Sequence, residues 1–252
     1  MRVVLIGAGN TATVLGSNIL HAGHEVVQVL GRSEDHASRL AEALNASFIL
    51  SWDQLTREAD IYILAIPDDH LYDLDDKMNL DDKLVVHVAG SVPMEVIGRI
   101  STRYGVLYPL QSLRKEVPNI QNIPLLIDGS TPLVLEEISR FARTLSDTVE
   151  MASDDKRMKL HLAAVIVSNF SNHLFVLAQE YCEREKLSFS LLLPLIFETA
   201  FRLQFAPASA MQTGPAIRHD QKTIEKHLHL LESEPSIRKI YEVFTRSIQA
   251  LL

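Results

Sequence analysis

The sequence predicts an α/β protein: a doubly wound parallel sheet followed by an all-α C-terminal region. Three observations lead there. From Arg2 to about Met151, short β-branched runs alternate with segments of helical spacing, the rhythm of βαβ units. The runs "VVLI", "IYILAI" and "KLVVHV" are apolar on successive residues, as parallel strands covered on both faces require. Beyond Met151 turn signals thin out and no further strand pattern is evident.

In chain order the expected strands are "VVLIG", "EVVQVL", "SFIL", "IYILAIP", "KLVVHVAG", "YGVLYP" and "PLLIDG". Between the first two, Val14, Leu15, Ile19 and Leu20 recur at helical spacing, with Gly23 as the C-terminal stop. "EDHASRLAEAL" is the next helix, with Ser33 as its N-cap. A long helix is expected from Asp154 to about Lys186, apolar nearly all round in "LHLAAVIVSNFSNHLFVLA" and so in want of cover from neighbouring helices or a second copy of the chain. Pro194, Pro207, Pro215 and Pro235 divide the remainder into shorter helices and loops. The boundary is placed near Ser153, dividing residues 1–152, the α/β domain, from 153–252, the helical domain.

Bulk properties narrow the function. The 252 residues are 47% hydrophobic and 22% charged, ordinary for a globular chain. A formal charge of −8 argues against nucleic acid as partner. Cys182 is the only cysteine, so no intrachain disulfide forms; together with an N-terminus that enters a strand at once, this points to the cytoplasm. The apolar runs around "LAAVIVSNF" and "LLLPLIF" fall short of the roughly 20 residues a membrane span needs. The acidic run "DDHLYDLDDKMNLDDK" lacks the glycine and terminal glutamate of a calcium loop, and the two histidines of "HLHLL" point in different directions, so no metal is expected.

"VVLIGAGNTATVLG" places Gly7, Gly9 and Ala12 as G-x-G-x-x-A between the first strand and the first helix. Gly7 permits the tight turn, Gly9 lets a diphosphate reach the backbone, and Ala12 lets the helix pack close. Together with Ala8, the unpaired amides of Asn10, Thr11 and Ala12 favour negative charge at the helix start. At the end of the second strand, where an acid would grip both ribose hydroxyls and repel a 2′-phosphate, stands Gly31, followed by Arg32 and Ser33. A guanidinium pairs with that phosphate and a hydroxyl donates to it, so NADP is the expected cofactor.

The other strand ends face the same cleft. "LAIPDDH" offers Ala65, Ile66 and Pro67 as a smooth edge, and Asp68 or Asp69 as helix caps. "HVAGS" offers Ala89 and Gly90 for close approach and the polar His87 and Ser91, and "LYPLQS" brings Tyr108 and Gln111. Singly, His87 also reads as a hydrogen-bonded core histidine, and Ser91 as the N-cap of "PMEVIGRI".

With "VLIGAGNTA", "GRS", "LAIPDD", "HVAGS", "YPLQS", "AAVIVSNF" and "TGPAIRHD" in this order, the chain resembles, over nearly its full length, a bacterial family of NADP-dependent oxidoreductases. These have a Rossmann-like N-terminal domain and a helical C-terminal domain of unknown function. The family is similar in turn to pyrroline-5-carboxylate reductases and β-hydroxyacid dehydrogenases. The resemblance implies a nicotinamide cofactor in the first domain, a small-molecule substrate and a homodimer made by helices. It departs at Tyr108, where the family frequently has His, and at His219, where it has Gly.

Hydride transfer to a carbonyl or imine needs a proton donor and a polar group to orient the substrate. At 3.6 residues per turn His161, Val165, Ser168, Asn169 and Asn172 share a broad face of the long helix. His161 is the expected proton donor and Asn169 the orienting group, with Tyr108 the rival acid. The Lys–Asn pair that β-hydroxyacid dehydrogenases carry on the corresponding helix is missing, since Lys159 is followed one turn later by Ala163. Arg218 in "TGPAIRHD" is read either as a clamp for a substrate carboxylate, with Ser91 as a second substrate contact, or as the partner of Asp220. The leading reading is an NADP-dependent reductase or dehydrogenase for a small polar metabolite, with or without a carboxylate; the alternative is an NADP-binding sensor without turnover.

Overall fold

The computed structural model describes residues 1–74, 78–117 and 122–251. Part of the acidic run, at residues 75–77, lies outside them. Among the described residues eight strands form one sheet, in the order β3-β2-β1-β4-β5-β6-β7-β8. They are β1 (Arg2–Ile6), β2 (Glu25–Leu30), β3 (Ser47–Ile49), β4 (Ile61–Leu64), β5 (Leu84–His87), β6 (Arg103–Pro109), β7 (Leu125–Gly129) and β8 (Val149–Met151). β1 to β6 are mutually parallel in the doubly wound arrangement.

Two features differ from the expectation. β7 runs antiparallel to β6, and β8, a three-residue strand that carries no apolar run of its own, extends the sheet parallel to β7. The reversal has a simple cause. A parallel return needs a crossover, usually a helix, whereas residues 110–124 contain no helix among those described, so the chain turns back beside β6. From β7 to β8 the helix α4 (Pro132–Leu145) supplies a crossover and parallel pairing resumes.

The alternation of side chains along a strand divides the core between two faces. Val3 and Leu5 of β1 join Ile61, Ile63, Leu84 and Val86 on the face covered by α1 (Asn10–His21), α2 (Glu34–Ala43) and α4. Val4 and Ile6 join Tyr62, Leu64 and Val85 on the other, under Leu71 of α3 (Asp68–Tyr72) and Ile97. Strands buried on both faces explain the unbroken apolar runs. α1 ends as its glycine predicts: Gly23 takes φ +80°, while its amide and that of His24 donate to Leu20 and Ile19.

The chain forms two compact units, Met1–Phe170 and Ser171–Leu252. The division falls within one continuous helical stretch of 31 residues, Asp154–Arg184, made of α5 (Asp154–Ala164), a π-helical turn Val165–Phe170 and α6 (Ser171–Arg184). This corrects two expectations. The π-helical turn breaks the 3.6-residue period, so the face drawn from His161 to Asn172 is not continuous. By length and apolar composition the joined helix could cross a membrane, although each apolar run alone falls short. Its first turns carry Asp154, Asp155, Lys156, Arg157 and Lys159, and its middle carries Ser168, Asn169, Asn172 and His173.

The second unit continues with α7 (Leu193–Phe201), α8 (Gln221–Leu230) and α9 (Pro235–Gln249). Pro194 and Pro235 sit in the first turns of α7 and α9, where a missing N–H costs nothing. His219 takes φ +51°, the left-handed backbone for which glycine is the usual choice. His227 bonds to Tyr241 and His229 to Glu232, the divergent directions expected of residues two apart.

Candidate active site

The loop between β1 and α1 is built from main chain. Gly7 has φ +123°, and a Cβ there would lie 2.1 Å from the carbonyl oxygen of Ala65, so only glycine fits between the ends of β1 and β4. Its amide donates to Leu30 O at 2.8 Å, fixing the turn against β2. Gly9, by contrast, opens onto free space: a Cβ would meet nothing within 4 Å. The helical ladder begins only with Thr13 N donating to Gly9 O at 2.9 Å, and Gly9 offers no side-chain cap. The amides of Asn10, Thr11 and Ala12 are therefore free of helical partners, at the positive end of the helix dipole. An open glycine edge beneath unclaimed amides fits a diphosphate.

This loop floors a cleft of about 940 Å³. Gly7, Ala8, Gly9, Asn10, Thr11, Gly31, Arg32, Ser33, Ala65, Ile66, Pro67 and Ala89, all expected at a cofactor, line it. Ala12 is instead fully buried beneath the loop, and Gly90 is packed against two aromatic rings. Trp52, His36, His70 and Asp73, which the sequence did not single out, line it as well.

At the end of β2 a Cβ on Gly31 would lie 2.8 Å from the Cβ of Ala37 and 3.4 Å from that of Ala8. There is no room for the acid that commonly stands there. Ser33 occupies the N-cap position of α2 but makes no capping hydrogen bond, so its hydroxyl is uncommitted. Arg32 Nη1 lies 3.1 Å from His70 Nε2, and Asp35, the nearest acid on α2 that forms an ion pair, is engaged with Arg39 at 2.7 Å.

Beyond the lining residue Ala89, against Gly90, the structure joins two residues that the sequence kept as rivals; neither lines the cleft itself. Tyr108 Oη and His161 Nδ1 are 2.9 Å apart, with the rings edge-on at 5.9 Å between centroids. Gly90 makes this possible: a Cβ there would sit 2.6 Å from His161 Nδ1 and 2.9 Å from Tyr108 Cζ. Burial, reinforced by the nearby Asp68 carboxylate and opposed by Arg157, holds the Tyr108 hydroxyl above its ordinary range, so it keeps its proton. Asp68 also accepts a hydrogen bond from Ser91, so Ser91 is not the N-cap expected of it; Pro93 holds that position.

Beneath the pair lies a buried polar group. Arg157, one turn before His161 on α5, is 1% exposed and donates to Asp154 at 2.6 Å and to Val92 O. His87 is fully buried; its Nδ1 accepts from Ala89 N at 3.2 Å, which places its proton on Nε2. Burial, and then the Arg157 charge, push the His87 pKa down to about 3. His87 is thus a neutral core residue, the plainer of its two readings.

One expected site residue is not brought to this cluster. Asn169 is exposed in the π-helical turn, roughly 12 Å further along the axis than His161 at 1.5 Å per residue. Arg218 belongs to the second unit, exposed, with no ion pair among the described residues; Asp220 caps α8 through Thr223 N at 3.1 Å. Among the described residues no cluster of potential metal ligands occurs.

A glycine-rich strand–loop–helix with a basic group at the second strand and a cleft across the strand ends defines a Rossmann-type dinucleotide-binding protein. Residues 2–90 match the family described as NADP oxidoreductase, coenzyme F420-dependent, and residues 123–248 match the family described as domain of unknown function DUF2520. The chain is 36% identical to a candidate NADP oxidoreductase from Bacteroides fragilis, over 99% of this chain and 98% of that one, with a TM-score of 0.91. It therefore belongs to this family of NADP-oxidoreductase proteins with a DUF2520 C-terminal domain.

More distant structures share the fold. A Thermotoga maritima protein is 20% identical (TM-score 0.81, covering 99% of this chain and 98% of that one). Streptococcus pyogenes 1-pyrroline-5-carboxylate reductase is 11% identical (TM-score 0.67, with the same coverage). No curated protein matches the chain.

Proposed function

We propose that the protein is an NADP-dependent reductase or dehydrogenase acting on a small polar metabolite, with Tyr108 and His161 as its proton-transfer pair. The observation that carries this reading is the 2.9 Å contact between them, packed on Gly90, the residue that follows Ala89 in the lining of a dinucleotide-type cleft. The free amides of residues 10–12 hold the diphosphate, and Arg32 and Ser33 receive the 2′-phosphate that Gly31 leaves unopposed. Bound there, the nicotinamide supplies or accepts a hydride.

The remaining chemistry belongs to the side chains. The Tyr108 hydroxyl retains its proton until charge develops beside it, and His161 replaces that proton through Nδ1. The two act as one acid–base unit. Ala65, Ile66 and Pro67 keep one wall of the cleft apolar and dry, which strengthens every charge interaction inside. Ser91, oriented by Asp68, is the group we assign to orienting the substrate.

We further propose a cytoplasmic homodimer. Leu162, Ile166, Val167 and Phe170 are all more than half exposed on consecutive turns, a patch that a second copy would cover.

Titration with NADPH and NADH, repeated on Arg32→Ala, tests the cofactor. Equal affinities in the unsubstituted protein would defeat the NADP reading. A screen of small oxo and imino acids for NADPH oxidation, with Tyr108→Phe and His161→Asn, tests the enzyme. Absence of any hydride exchange would leave a cofactor-binding sensor.

A further inference from the structure

On the NADP reading, the structure also shows what aims Arg32. Its Nη1 lies 3.1 Å from Nε2 of His70, and Nδ1 of His70 lies 3.6 Å from Oδ2 of Asp73; all three side chains line the cleft. An arginine is always a donor, so Nε2 accepts and the ring proton sits on Nδ1, facing the carboxylate. Asp73 and His70 thus fix one end of the guanidinium. Nε and Nη2 of Arg32 have no other partner among the described residues and remain free to form a two-pronged contact.

A solvent-facing arginine otherwise samples many rotamers and spends entropy on each binding event; a partner that holds it removes part of that cost. Nothing in this arrangement touches the diphosphate loop or the Tyr108–His161 pair. Its effect falls on whichever ligand carries an anion at the Arg32 corner.

We propose that His70 is a specificity-determining positioning residue: it holds the Arg32 guanidinium at the mouth of the cleft, so that a nucleotide with a phosphorylated ribose is selected over one without.

The test is fluorescence titration of the full-length protein with NADPH and with NADH in His70→Ala, His70→Gln, Arg32→Ala and the double variant. His70→Ala is expected to weaken NADPH binding about three- to tenfold and leave NADH unchanged. His70→Gln, whose carbonyl reaches the place of Nε2, should restore most of the loss. In the Arg32→Ala background, removing His70 should change neither affinity. Equal weakening of both nucleotides, or an undiminished effect without Arg32, overturns the proposal. If Arg32→Ala abolishes the NADPH preference while His70→Ala leaves it intact, His70 alone is misassigned; if Arg32→Ala leaves the preference intact, the NADP reading fails too.

Discussion

Gly90→Ala gives the most searching test of the proton-transfer pair. The backbone at Gly90 is not in the left-handed region, so a methyl group there brings no conformational strain of its own. What it brings is contact: 2.6 Å to His161 Nδ1 and 2.9 Å to both His161 Cγ and Tyr108 Cζ, all below any relaxed carbon contact. The rings must separate, and the 2.9 Å hydrogen bond between them is lost. Overpacking of this kind costs about 1–3 kcal/mol, and the lost bond adds about 1 kcal/mol. For a chain of this size, about 2–4 °C of melting temperature per kcal/mol gives a drop of roughly 4–16 °C. Displacement of a catalytic group by about 1 Å lowers turnover about a hundredfold. Differential scanning calorimetry of Gly90→Ala, His161→Ala and the double variant isolates the cause. In the His161→Ala background two of the three contacts and the hydrogen bond are gone and only Tyr108 Cζ remains, so the cost of the methyl there should fall by at least about 1 kcal/mol. An equal cost in both backgrounds would show that the methyl strikes something other than His161, and the account of the pair would be wrong.

Other expectations follow from the same geometry. Gly7→Ala, aimed at the Ala65 carbonyl, should abolish NADPH binding and lower the melting temperature, both readable in one nucleotide-protection thermal shift series. His87, held near pKa 3 when folded against 6.5 unperturbed, binds a proton more readily unfolded. Its contribution to stability is therefore complete above about pH 6.5 and is lost as pH falls towards 3, by at most about 4–5 kcal/mol; urea titrations across that range should show a slope that His87→Gln reduces. Arg157→Ala leaves Asp154 and Val92 O without their guanidinium and should cost about 3 kcal/mol in denaturant titration. Val167→Glu, at a position 72% exposed, should leave the monomer fold intact yet halve the mass seen in sedimentation; an unchanged mass counts against the proposed dimer face.

The doubly wound sheet was legible because strands covered on both faces leave unbroken apolar runs, and Gly7 and Gly23 punctuate them with conformations few other residues accept. β8 was not. Val149 to Met151 lie at a sheet edge where one partner strand suffices, so no apolar run marks them. The reversal of β7 is a property of the connection before it, not of its own residues. Most of the cleft lining could be read from its position at the strand ends. The joining of Tyr108 to His161 could not, because the two are 53 residues apart and only the packing of α5 over β6 brings them together. His70 had one available signal, its place in the short helix α3 after β4 at the mouth of the same cleft, but from sequence its distance to Arg32 was invisible. The π-helical turn was hidden by its composition: "VIVSNF" reads equally well at either helical period.

The floor of the cleft, where Gly7 meets the Ala65 carbonyl, has a consequence for how such a protein can change. A surface made of peptide groups grips any diphosphate alike and cannot be retuned by replacing a side chain without wrecking the turn. Discrimination among nucleotides is thereby displaced to the margin, to positions outside the core such as 32, 33 and the half-buried 70, whose identity the folded core does not constrain. Preference for one nucleotide over another becomes a trait that can drift, or be redesigned, while the scaffold stays fixed.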